Sequence, residues 1–232
     1  NKGYTITVTV WDADGGLGTD TVGITIVNVA PAVEAGMDQT TAEGTIILLN
    51  PSTYSDPGFT FAPAGTSETF TARVDWGDGT TEYLAPSWVA GSAGVMTLGT
   101  VSENHAYADN GVYTVTVFVR DDDGAETSDT FTVTVNNAAP TIEAGADRTT
   151  TEGALITLNP ATFSDPGYDN VPRGTYETFT ARVTWGDGSL ETPVPVWVTG
   201  HEGALTTGTV SASHAYGDNG VYTITVYVRD DD

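Results

Sequence analysis

The sequence predicts an all-β fold, built of antiparallel sandwiches repeated in tandem along one chain. Two observations carry this reading. The first is repetition at the scale of a whole domain. Trp76-Gly77-Asp78-Gly79 returns as Trp185-Gly186-Asp187-Gly188, and His105-Ala106-Tyr107 returns as His214-Ala215-Tyr216. Asp109-Asn110-Gly111-Val112-Tyr113 returns as Asp218-Asn219-Gly220-Val221-Tyr222, and every pair lies 109 positions apart without a gap. Self-similarity at a fixed period marks an array of like units. The second observation is an apolar period of two. Residues 113–119, 130–135 and 69–74 alternate strictly, are rich in Val, Thr, Phe and Tyr, and are separated by Gly, Asp, Asn and Pro clusters. Such alternation predicts half-buried antiparallel strands, and no window carries the 3.6-residue stripe of a helix.

About seven strands in roughly 100 residues, with turn signals between them, predict an immunoglobulin-like sandwich. Strand A is expected near 32–41, B near 44–50, C near 68–76 and D near 81–90. E is expected near 95–103, F near 112–120 and G near 129–136. Asp109-x-Gly111-x-Tyr113 has the form of a tyrosine corner, in which the ring packs and the hydroxyl ties back to the backbone. Trp76 falls on strand C, where such sandwiches bury a tryptophan.

The repeat also predicts the domain division. Residues 1–14 match 110–123 and 219–232, so residues 1–28 read as the last two strands of a preceding repeat. Residues 29–137 read as one complete domain. Residues 138–232 read as a domain lacking its last strand, the counterpart of 130–135. Natural sheets avoid a bare edge of this kind, so the chain is expected to be a segment of a longer polypeptide.

Composition narrows the function. Acidic residues number 31 and basic residues 7, for a formal net charge of −24. Without a basic patch to neutralise phosphates, nucleic acid is excluded as a partner, and anionic membranes are disfavoured. No apolar run is long enough to span a bilayer. There is no cysteine to form a disulfide. The one lysine, Lys2, lies outside the complete domain, which leaves no internal Lys–Asn crosslink there. Self-repulsion works against compactness, and a bound divalent cation is the remaining means of screening and stiffening.

Taken together, Trp-Gly-Asp-Gly on strand C, His-x-Tyr, Gly-Val-Tyr-Thr-(Val/Ile)-Thr-Val and Asp-Asp-Asp-Gly resemble the PKD (polycystic kidney disease) domain family. The resemblance covers both copies and the leading fragment. It implies immunoglobulin-like sandwiches of the kind found in tandem in prokaryotic surface proteins, secreted hydrolases and animal membrane proteins. The repeat is longer than the family pattern, with the extra length around 58–66 and 83–98.

Three chemistries are open to the residues of this chain. Catalysis has little support: His105 and His214 repeat, but no serine or cysteine nucleophile motif accompanies them, and a histidine bonded to the backbone at the corner explains them. His201 reads as an exposed loop residue, and no His/Cys cluster fits zinc. Calcium has more support. Asp12 and Asp14, Asp121 and Asp123, and Asp230 and Asp232 occupy the same F–G turn, and Asp-x-Asp offers two carboxylates of the six to eight oxygens calcium takes. The B–C loops bring Asp56 and Asp165 to the same end, and the entering linkers bring Asn28 with Glu34, and Asn137 with Glu143. The resemblance points the same way, since some PKD-like domains bind calcium there. The other reading is a solvated turn, for which Asp is favoured by bonding its own backbone; that reading is preferred for Asp78, Asp187, Asp109 and Asp218. Third, Trp88 and Trp197 would stack on a sugar ring if exposed, or cover a sheet face.

The expectation is therefore a non-enzymatic, extracellular or cell-surface structural segment. It would be a calcium-stiffened rod of sandwiches extending an adhesin, a surface-layer protein or a filament. Its partners would be neighbouring repeats of the same chain, with head-to-tail or lateral self-association. The alternative is an accessory module of a secreted hydrolase that binds polysaccharide or protein through aromatic residues.

Overall fold

The computed structural model describes residues 2–49, 51–158 and 161–231. Asn50, the end of the expected strand B, and Asp232, one of the expected calcium ligands, lie outside the described residues. The chain opens with a hairpin of β1 (Lys2–Trp11) and β2 (Leu17–Ile26). It pairs Tyr4 with Ile24 and Val8 with Asp20. Tyr4, Ile6, Val8 and Val10 are all exposed on it.

Next come β3 (Ala32–Glu34), β4 (Gln39–Ala42), β5 (Ile46–Leu48), β6 (Ser52–Asp56), β7 (Phe70–Asp75) and β8 (Thr81–Leu84). They are followed by β9 (Ser87–Val89), β10 (Thr97–Val101), β11 (Asn104–Ala106), β12 (Gly111–Asp121) and β13 (Glu126–Asn136). One sheet has the order β3-β6-β10-β9, the other β4-β13-β12-β7-β8, and β5 pairs with β11. Between the two sheets lies a core of Tyr54, Phe70, Val74, Trp76, Val115, Val117, Val119, Phe131 and Val133. β12 and β13 pair Tyr113 with Val133 and Val117 with Asp129, the register of the opening hairpin shifted by one repeat.

The structure corrects the expected strands in three places. Strand A is two strands in different sheets, β3 and β4, with Gly36 between them at φ 109°. That backbone conformation suits glycine alone. Two aspartates of the facing segments fasten the crossing: the Ala35 amide donates to Asp129 (2.9 Å) and the Thr132 amide to Asp38 (2.7 Å). Strand D also divides, at Ala85-Pro86, so that β8 pairs with β7 and β9 with β10. Proline has no N–H with which to continue a ladder. Third, Ser55 and Asp56 end strand β6 rather than forming a loop. The strand Ser-Thr-Tyr-Ser-Asp lacks an apolar alternation because two polar residues point inward. Ser52 is buried and donates to the Ala35 carbonyl at 2.7 Å, and Asp56 is buried at the other end.

The second copy comprises β14 (Thr141–Glu143), β15 (Leu155–Thr157), β16 (Ala161–Asp165), β17 (Thr180–Thr184) and β18 (Leu190–Glu191). It continues with β19 (Val196–Val198), β20 (Thr206–Val210), β21 (Ser213–Ala215) and β22 (Thr225–Arg229). Its sheets are β14-β16-β20-β19, β18-β17-β22 and β15-β21, around a core of Phe163, Phe179, Val183, Trp185 and Val226. Among the described residues, β22 has a neighbour only on the β17 side. Residues 220–224 repeat the sequence of 111–115 apart from Ile224, yet form no ladder.

Gly99 tests how tightly the sheets are built. A Cβ there would overlap the Tyr54 ring, as one at Gly208 would overlap Phe163, whereas one at Gly18 meets nothing within 4 Å. Gly99→Ala is expected to destabilise the protein by about 1–3 kcal/mol, the usual effect of overpacking. Gly18→Ala is expected to stay within about 0.5 kcal/mol. Thermal and denaturant unfolding of the two variants checks the contrast.

Candidate functional site

The F–G turn begins at Asp121, whose Oδ1 accepts the Ala125 amide at 2.9 Å. Its Oδ2 accepts the Asn28 amide of the entering linker at 2.8 Å. In the second copy Asn137 donates to Asp230 at 3.2 Å. Linker and turn therefore meet as the sequence indicates. Asp56 lies on the buried end of β6, 1 % exposed, with Oδ1 taking the Gly58 amide at 2.6 Å and Oδ2 buried without a hydrogen bond. Asp230 Oδ2 is in the same state.

Two further carboxylates belong to this group and were not read from the sequence. A Cβ on Gly58 would overlap both Glu68 and Asp56, and one on Gly167 would overlap Glu177, so each glutamate sits against the turn that follows its aspartate. Asp122 accepts the Thr69 amide at 3.2 Å, and Asp231 accepts that of Thr178 at 3.0 Å. Burial, then Asp122, Asp56 and Asp121, push the Glu68 carboxyl up to about 7. Burial also raises Asp56, against the pull of the Gly58 amide and with the help of Asp121 and Asp122. The glutamates lie between the extra length and strands β7 and β17, where no Asp-x-Asp spacing announces them.

The remaining expected ligands lie elsewhere. Asp123 and Asp14 are exposed turn residues. Asp12 accepts the amides of Asp14 and Gly16 within its own hairpin turn. Glu34 and Glu143, carried on β3 and β14, line open grooves on the sheet face beside Trp88 and Trp197. Trp88 meets Phe70 edge-on at 5.6 Å, and Trp197 meets Phe179 at 5.5 Å, so each ring packs an edge on the core, while Trp88 stays 39% exposed over its groove. Among the described residues, no group of three or more Asp, Glu, His or Cys is disposed to hold a metal ion. No helix among them is long and apolar enough to cross a membrane.

The opposite end of the sandwich is a column of rings. Trp76 stacks on His105 at 4.7 Å, His105 meets Tyr107 edge-on at 4.8 Å, and Tyr107 stacks on Tyr113 at 4.1 Å. The Tyr107 hydroxyl donates to the Trp76 carbonyl at 2.9 Å, and the Tyr113 hydroxyl donates to that of Asp109 at 2.8 Å, closing the tyrosine corner. The histidine was expected to bond the backbone. Instead His105 Nε2 pairs with Asp78 Oδ2 at 2.8 Å, because the Trp76–Gly79 turn aims that carboxylate at the ring. Asp78 keeps its turn role too, accepting from the Thr80 amide and hydroxyl. Burial alone would raise its carboxyl, but the His105 and Thr80 hydrogen bonds outweigh this and hold it below the ordinary value. His214 and Asp187 repeat the pair at 2.7 Å. His201 is exposed, as expected.

This end of the first sandwich is covered by residues 167–175 of the second, the counterpart of the extra length at 58–66. The Tyr168 amide donates to the Ala108 carbonyl (3.0 Å) and its hydroxyl to that of Ala106 (2.8 Å). Asn170 donates to the carbonyl and the carboxylate of Asp78 at 3.3 and 3.4 Å. Arg173 donates to the Gly77 carbonyl at 3.4 Å and lies 4.4 Å over the Tyr113 ring. The Ala138 amide of the linker donates to Glu43 at 2.9 Å. The sequence marked this loop only as excess length, since its function depends on carbonyls 60 to 96 residues away.

No curated protein matches the sequence. Among solved structures, a tandem pair of titin Ig domains aligns at 14% identity over 87% of this chain and 95% of that one, with a TM-score of 0.26. Residues 28–135 match the PKD domain family, and that part of the chain is a PKD-like sandwich of the immunoglobulin type.

Proposed function

We propose that this chain is a non-enzymatic structural segment of an extracellular or cell-surface protein, an array of sandwiches divided as 1–28, 29–137 and 138–232. The observation that carries the reading is the insertion of loop 167–175 into the ring end of the preceding sandwich. Both repeated histidines are then structural. A single linker tether would leave two domains free to swing. Here Tyr168, Asn170 and Arg173 add directional hydrogen bonds and a cation over an aromatic face at the junction. This suits a rod whose length and direction are set by its junctions.

Calcium is proposed as the second stiffening element. What supports it is an acidic group with few ways to ionise. Asp56 holds a buried oxygen without a partner, and Glu68 is pushed up to about 7 first by burial and then by its acidic neighbours. Asp56, Glu68, Asp121 and Asp122, which as they stand are not disposed around one ion, would have to close on it, with Asn28 turned to present its amide oxygen; Asp165, Glu177, Asp230, Asp231 and Asn137 would do so in the second copy. Bound calcium would supply the positive charge these carboxylates lack. Without it, the sign of the pH effect follows from Glu68. Its folded value lies above its ordinary 4.5, so its contribution to stability is fully present below about 4.5 and is lost as pH rises through about 7.

Two outcomes are expected. In chelator, stability should fall between pH 4.5 and 7, and Glu68→Gln should flatten that fall. Millimolar calcium should add about 1.4 kcal/mol at ten times the dissociation constant. Equal melting temperatures in chelator and in calcium, with no ion detected by calorimetry, would remove calcium from the account. Second, Asn170→Ala with Arg173→Ala should broaden the interdomain distances seen by small-angle scattering while leaving both sandwiches folded, as read by near-ultraviolet circular dichroism of the buried Trp76 and Trp185. An unchanged scattering profile would mean that the loop does not hold the junction.

A further inference from the structure

The second sandwich carries at its own ring end the full receiving surface that the first uses, and there it is uncovered. Trp185 stacks on His214 at 4.9 Å, and Tyr216 stacks on Tyr222 at 4.1 Å. The Tyr216 hydroxyl donates to the Trp185 carbonyl at 2.7 Å. Gly186 and Gly188 hold φ values of 83° and 97°, against 77° and 93° for Gly77 and Gly79. The acceptor groups used at the first end therefore have counterparts: the carbonyls of Ala215, Gly217 and Gly186, the Asp187 carboxylate and the Tyr222 ring. What differs is cover. The Asp78 and His105 side chains are 3% and 8% exposed, whereas those of Asp187 and His214 are 25% and 17% exposed.

We infer that the ring end of the second sandwich, at Asp187, His214 and Tyr222, is a docking site for another sandwich of this kind, received through a loop with donors in the places of Tyr168, Asn170 and Arg173. The inference rests on the junction described above and extends it to a surface whose partner lies outside these two sandwiches. Chemistry selects the loop. The site offers carbonyl oxygens, a carboxylate and a ring face, all of which call for N–H, O–H or cationic groups. Loop 167–175 supplies all three. The equivalent loop of the first sandwich carries Phe59, Phe61 and Ala64 at these places; it shares the same closing bridge, Phe61 with Thr66 as Asn170 with Thr175, but none of those three side chains carries a donor. The site thus distinguishes loops of one backbone shape by their side chains. A head-to-tail contact of this type presents a fresh receiving surface at each step and propagates as an open array unless its rotation closes a ring.

The test extends the full chain by its own period, so that residue 232 is followed by a second copy of residues 124–232. Amide exchange is then followed at Tyr168 and at its counterpart in the appended unit. The appended Tyr168 amide, given the Gly217 carbonyl, is expected to exchange within about tenfold of the original. It should become about a hundredfold faster when the appended unit carries Asn170→Ala and Arg173→Ala, as expected for a loop released to local opening. An original Tyr168 that is protected while the appended one exchanges freely overturns this inference alone. If neither is protected, the junction on which it rests falls as well.

Discussion

The buried ring column is the constraint on which the rest of each sandwich depends. Trp76 and Trp185 are fully buried, and the indole N–H of each has no hydrogen-bond partner. Leaving one buried donor unpaired costs about 1–3 kcal/mol. Burying a large aromatic removes about 150–250 Å² from water, which at about 25 cal/mol per Å² is worth roughly 4–6 kcal/mol. Burial wins, and the tryptophan stays inside. Its carbonyl then anchors Tyr107, its face anchors His105, and the turn that follows it places Asp78 against that histidine. One strand end thereby positions the corner of strand β12 and the surface that receives the next sandwich.

The two ends of the sandwich solve opposite electrostatic problems. At the ring end, Asp78 is buried with hydrogen-bond donors around it, and its carboxyl is held low despite burial. At the linker end, Asp56 and Glu68 are gathered with other carboxylates, and burial with like charge pushes them up. The same residue types thus give a finished structural pair at one end and an unfinished, charge-poor cluster at the other. Successive sandwiches meet with these unlike ends together: the loop that docks on the ring end begins at Gly167, directly beside the buried Asp165 of the acidic end. Any cation held there would sit close to the junction and act on it.

The fold was legible in the sequence because its signals are local. Alternation placed β7, β12 and β13, and the Asp109-x-Gly111-x-Tyr113 spacing announced the corner that Tyr113 closes on Asp109. The meeting of Asn28 with Asp121, and of Asn137 with Asp230, was legible from repeat position and sandwich topology. Strand β6 was not, because Ser52 and Asp56 face inward and erase the apolar alternation. Glu68 and Glu177 were not, because they reach the cluster from the approach to β7 and β17, where no ligand spacing marks them.

Repetition, strand period and the identity of the buried aromatics were determined by the sequence itself, since each rests on residues within a turn or a strand of one another. Pairing and docking were decided only by the tertiary structure. Residues 111–115 lie in a ladder against residues 131–135 of β13, across an intervening turn. Likewise loops 58–66 and 167–175 share a closing bridge, but the donors of the second, at Tyr168, Asn170 and Arg173, are met by carbonyls and a carboxylate of the first sandwich. A strand's hydrogen bonds and a loop's donors are completed by partners far away in the chain, and no local pattern contains them.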